Sequence, residues 1–157
     1  MSGVPFPSNM KITSSEVIFC YNRHMRVVGC FLEFDDKFVL VHRHAHKVDG
    51  DTWGLPSGKV EDGESDDGAI QRALYEETGY KAELSEFEKL GAFDFVTPRG
   101  DTVTYITYRL GLKALHDVVL EEAAHSEFKW VTVEEADKMD NLIHGLHDLF
   151  RLVNYIK

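Results

Sequence analysis

The chain has 157 residues, 43% hydrophobic and 28% charged, which suits one domain with a core that needs no disulfide staples. It carries 17 basic and 27 acidic residues, a formal net charge of −10, so neither a nucleic acid nor an anionic membrane is expected as a partner. No apolar run approaches a membrane span, and no basic segment precedes an apolar one at the N-terminus, so a cytoplasmic location is the default expectation.

Residues 1 to about 14 are small, polar and proline-containing and read as a loose arm, and the whole N-terminal arm is taken as 1–24, with room for a short strand. One domain then fills 25–157. The two cysteines, Cys20 and Cys30, lie in apolar-leaning stretches and read as buried thiols of a reducing compartment. Residues 26–34 read as a mostly buried strand, Asp35-Asp36 as a turn, and 37–43 as its hairpin partner. From 44 to 63 the chain is polar and glycine-bearing, which predicts a long functional loop. A helix is predicted over 66–78, capped by Ser65 or Asp66, ended by Gly79, with an apolar stripe of Ala69, Ile70, Ala73 and Leu74. Strands follow at 87–96 and 102–112 around a turn at 98–101, then a short strand at 128–133. Phe93, Phe95, Tyr105 and Tyr108 read as core residues of these strands. Helical character starts at Glu134. Met139, Leu142, Ile143, Leu146, Leu149, Phe150 and Val153 recur at three and four residues, which predicts one long amphipathic closing helix. The order strands, helix, strands, helix gives an α+β domain with helices packed on a mixed sheet.

Acidic residues crowd into 61–88, where ten carboxylates face two basic residues, Arg72 and Lys81. Glu76 and Glu77 are the informative pair. They lie in the last turn of the predicted helix, where the helix dipole is negative, and they repel each other. A divalent cation removes both objections. Arg72 lies four residues before Glu76, so the two share a helix face. The loop at 56–59 can add a backbone carbonyl, which suits a hard ion such as Mg²⁺.

Gly58, Glu64, Arg72, Leu74, Glu76, Glu77 and Gly79 stand at spacings that resemble the Nudix box, G-x5-E-x7-R-E-U-x-E-E-x-G-U, where U is bulky and aliphatic. The stretches 53–61 and 128–135 also resemble the flanks of that box. The resemblance is to the MutT-like Nudix hydrolases and implies an α/β/α sandwich. It further implies Mg²⁺-dependent hydrolysis of a nucleoside diphosphate linked to another group, with Mn²⁺ as the alternative ion and a small nucleotide as partner. A homodimer is left open. The implied metal ligands are Glu76, Glu77 and the Ser57 carbonyl. Arg72 and Glu64 would organise the site, and Arg43 and Gly58 would contact substrate. A carboxylate from outside the box would act as base, with Glu122 and Glu127 preferred over Glu121. Three positions depart from the pattern: Ala73 replaces the glutamate after the arginine, Ser57 replaces a common glycine, and Tyr80 replaces an aliphatic residue.

Two other readings compete. Because Ala73 removes a usual catalytic glutamate, the fold can serve as a nucleotide-binding sensor with little hydrolysis. His42, His44 and His46 alternate and would share a strand face, a spacing that suits Zn²⁺. His125 is expected on the surface, and His144 and His147 on the polar edge of the closing helix.

Overall fold

The computed structural model describes residues 23–157. Cys20 and nearly all of the expected N-terminal arm lie outside the described residues, and His24 already belongs to the first strand. Strands β1 (His24–Phe34) and β2 (Lys37–Arg43) form the expected hairpin. Its turn residues, Asp35 and Asp36, take φ of 50° and 68°, the paired left-handed values of a tight hairpin turn, which aspartate tolerates.

β1 is the hub of a mixed sheet. It pairs antiparallel with β2 and with β4 (Ser57–Lys59), and parallel with β6 (Thr102–Gly111) along ten residue pairs. β5 (Glu88–Val96) lies antiparallel on β6, while β3 (Trp53–Gly54) and β7 (His125–Val131) lie antiparallel on β2. Alternation along β1 feeds two cores, because successive side chains leave opposite faces. Val28, Cys30 and Leu32 meet Ile70 and Leu74 of α1 (Asp66–Thr78) on one face. Phe31, with Phe38 and Leu40 of β2, meets Leu149 and Phe150 of the C-terminal helix on the other. Helices therefore cover both faces of the sheet. No helix among the described residues is long and apolar enough to cross a membrane.

α1 has the bounds that its sequence predicts. The Ser65 hydroxyl accepts the Gly68 N–H at 3.0 Å, and Gly79 ends the helix at φ 76°. Asp66 and Asp67 sit at its positive end.

Three expectations are corrected. The 44–63 loop contains β3 and β4, strands too short to leave a periodic pattern. The late strand runs over His125–Val131, and Val133 opens α2 (Val133–Asp137), where a reciprocal Thr132–Glu135 capping box starts the helix. The long closing helix is broken. Leu142 and Ile143 lie in the stretch that pairs with β3, and Leu146, Leu149 and Phe150 lie in α3 (Leu146–Leu152). The Trp53 N–H donates to Asn141 O at 2.9 Å and the Ile143 N–H to Trp53 O at 2.8 Å, so backbone pairing to β3 captures this stretch. Gly145, at φ 87°, then turns the chain into α3. Leu142, Leu146, Leu149 and Phe150 are buried all the same, because the packing needs their apolarity and not one continuous helix.

Candidate active site

The last turn of α1 points its two glutamates in different directions. Glu76 lies beside Arg72, whose Nη1 donates to Glu76 Oε1 at 2.9 Å. The same guanidinium grips both oxygens of Glu64, through Nε at 2.8 Å and Nη2 at 2.9 Å, and donates to the Lys59 carbonyl at 2.8 Å. Arg72 thus ties α1, the loop before it and the end of β4 together, which a planar fork can do and a point charge cannot. Its proton is held more firmly than usual, and the Glu64 carboxyl is lowered to about 2, chiefly by the hydrogen bond from Arg72.

Glu77 turns inward. Its Oε1 accepts the Ser57 N–H at 2.8 Å, and its Oε2 stands 3.8 Å from His125 Nε2. Burial raises its carboxyl to about 8; the Ser57 N–H opposes this most, the nearby Glu121 and Glu76 charges add to it, and Arg43 also opposes it. Ser57 lies opposite Gly29 in the β1–β4 pair, with the flanking bonds Cys30 N–H to Pro56 O and Val60 N–H to Arg26 O directed into the sheet. The N–H of Ser57, and with it the carbonyl, turns to the Glu77 side.

Of the carboxylates outside the box, Glu121 is the one whose charge reaches Glu77. Glu122 offers its backbone carbonyl to His44 Nε2 at 2.6 Å, and Glu127 pairs with His42 across β2 and β7; both are exposed. Arg43 faces His125 across the bulge in the same strand pair. Gly58 abuts α1 closely: a Cβ there would stand 2.8 Å from the Ala73 methyl, which is itself buried.

The three alternating histidines do not converge. His42 Nδ1 lies 2.8 Å from Ser126 Oγ and its ring packs on Trp53, whereas His44 stacks on His46. Among the described residues no three His, Cys, Asp or Glu side chains gather into a metal-holding group, these histidines included.

Two site neighbours escape sequence reasoning. His125 is 3% exposed and not a surface residue; burial and the charges of Arg43, His44, His42 and Lys47 lower it to about 4. Tyr105 sends its hydroxyl over Gly29, where an added Cβ would overlap it. Burial, reinforced by the Glu77 charge, pushes that phenol well above its usual range. The signal available for Tyr105 was Gly29 itself, a glycine inside a buried strand, which marks close approach. The loop after β2 and the β5–β6 turn are joined by an Arg99–Asp49 ion pair at 3.2 Å.

The buried Glu77 carboxyl, the Ser57 backbone and the Arg72-bound Glu76 thus meet at the junction of β4 and α1. The NUDIX domain profile matches residues 23–152, a span that holds every one of these groups. The chain belongs to the NUDIX domain family. Over 55 residues it is 38% identical to the 8-oxo-(d)GTP phosphatase of Mycolicibacterium smegmatis, which is 35% of this chain and 16% of that protein. Over 63 residues it is 36% identical to the CTP pyrophosphohydrolase of Escherichia coli, 40% of this chain and 47% of that protein. The chain therefore spans less than half the length of either relative. The MutT protein from Methanosarcina mazei has the same fold, with a TM-score of 0.71 at 22% identity, covering 85% of this chain and 95% of that one.

Proposed function

We propose that this Nudix chain hydrolyses a pyrophosphate bond in a nucleoside diphosphate linked to another group. The observation that carries the reading is Glu77, a carboxylate with 12% side-chain exposure that takes one N–H and has its proton affinity raised by burial. Ionising such a group calls for a cation, and Glu76 and the Ser57 carbonyl are the oxygen donors nearest it in the chain path. Glu76, Glu77 and the Ser57 carbonyl would hold Mg²⁺, with Mn²⁺ as the alternative. When bound, the ion screens phosphate charge and acidifies a water. Arg72 keeps Glu76 and the Glu64 loop in register. Arg43, on the strand end opposite His125, is the cation available to a substrate phosphate. Glu121 is assigned to accept the proton of the attacking water, because it is exposed to solvent and close enough to be felt at Glu77. The relatives named as a CTP pyrophosphohydrolase and an 8-oxo-(d)GTP phosphatase support nucleotide chemistry. A cytoplasmic setting fits that chemistry.

The test is phosphate or pyrophosphate release from nucleoside triphosphates, dinucleoside polyphosphates, ADP-ribose and nucleotide sugars, with and without Mg²⁺. Turnover that needs the ion and disappears in Glu77→Gln supports the hydrolase. One observation favours a second reading, a nucleotide sensor: Ala73 leaves the site one carboxylate short. Mg²⁺-dependent nucleotide binding without turnover would select it.

A further inference from the structure

Among the described residues two buried side-chain polar atoms lack a partner, Thr107 Oγ1 and His125 Nδ1. The histidine is the more telling, because its other nitrogen is aimed at the site. Its side chain is 2% exposed on β7, and Nε2 stands 3.8 Å from Glu77 Oε2. An imidazole buried only for packing could be replaced by a leucine without loss. A neutral imidazole has one N–H, and a buried N–H without an acceptor costs more than a bare lone pair. The proton therefore belongs on Nε2, facing the carboxylate, with the bare lone pair on Nδ1. The 3.8 Å gap exceeds a hydrogen bond. Contacts of this kind tighten when a site is loaded.

We infer that His125 is a positioning residue: its Nε2–H steadies Glu77 Oε2 while the Ser57 N–H holds Oε1, fixing the orientation in which the carboxylate meets a divalent ion. Ala73 gives this contact its weight. With that carboxylate missing, Glu77 is the buried ligand of the set, and its orientation decides affinity. Arg43 lies opposite His125 in the β2–β7 register and hydrogen-bonds the Val48 carbonyl through Nε, so one side of the imidazole is walled by an anchored residue.

The inference rests on Glu77 being a metal ligand, and the experiment separates the two. Mn²⁺ affinity is read from loss of the free-ion EPR signal for the parent, His125→Leu, His125→Gln and Glu77→Gln, with thermal unfolding of each. His125→Leu is expected to weaken Mn²⁺ by roughly tenfold without lowering Tm, and His125→Gln, which keeps an N–H donor, to recover most of the loss. In the parent above about pH 8, where Glu77 is ionised, long-range ¹H–¹⁵N NMR is expected to show the Nε2–H tautomer, with an Nε2 resonance that moves in Glu77→Gln. Mn²⁺ binding by His125→Leu within about twofold of the parent, or an Nδ1–H tautomer with Glu77 ionised, overturns the role of His125. Should His125→Leu fail to fold, the Gln variant and the tautomer decide. Unchanged Mn²⁺ binding in Glu77→Gln overturns the metal reading of the site itself.

Discussion

Glu77 Oε1 accepts the Ser57 N–H at 2.8 Å, across twenty residues of chain. That bond joins the last turn of α1 to β4 and points one of two adjacent glutamates into the protein. Its neighbour, Glu76, is left on the Arg72 side with 44% of its side chain exposed. Burial raises the proton affinity of Glu77.

The raised Glu77 carboxyl makes stability depend on pH. Between its ordinary value of 4.5 and about 8 the folded chain keeps a proton that the unfolded chain releases. The stabilisation is fully present below 4.5 and is lost as pH rises through about 8. The slope is at most about 1.4 kcal/mol per pH unit. Urea unfolding from about pH 5 to 8.5 should show this slope in the parent and a flatter profile in Glu77→Gln. Saturating Mg²⁺ should restore stability at the alkaline end, because the ion binds the charged form. Parallel profiles for parent and variant would refute the assignment.

Ala73→Glu should make stability depend on metal. The position is 1% exposed and faces Gly58, so a carboxylate there costs roughly 1–3 kcal/mol without a cation. Tm should fall in chelator, recover with Mg²⁺, and hydrolysis should exceed that of the parent. An equal Tm drop with and without Mg²⁺ would place residue 73 outside the metal's reach.

Arg72→Lys keeps the charge but loses the fork that grips Glu64, Glu76 and the Lys59 carbonyl. The Glu64 carboxyl should rise from about 2 toward its ordinary 4.5, measurable by carboxyl NMR titration. Turnover should fall by about tenfold or more. Full activity in the lysine variant would mean that charge alone suffices.

Gly145→Ala separates the observed chain path from the continuous helix that the apolar spacing suggests. In a helix the change would gain about 1 kcal/mol. At φ 87°, with Phe95 3.0 Å from the new Cβ, it should instead cost about 1 kcal/mol or more. Chemical denaturation reads the sign directly.

Gly29→Ala should cost about 1–3 kcal/mol, because the Tyr105 hydroxyl occupies the space of the new methyl. Tyr105→Val in the same chain should recover much of that cost, and a double-mutant cycle measures the coupling. Additive losses would show that the two residues are independent.

What the sequence determined by itself is local. α1 was legible to the residue, since Ser65, the stripe from Ala69 to Leu74 and Gly79 act within a few residues of one another. The spacing that places Arg72 against Glu76 is equally a property of one helix. Tertiary structure decided the rest. The apolar spacing from Met139 to Val153 reports which residues are buried and not the path between them, and pairing to Trp53 broke that path at a place marked only by Gly145. Glu77 and His125 are separated by β5, β6 and a loop, and they meet because β7 docks on β2 while α1 docks on β1 and β4. Burial of a charge is set by what packs over it from elsewhere in the chain. The types of residue in the site could therefore be read from sequence, but the inward turn of Glu77 toward Ser57 and His125 could not.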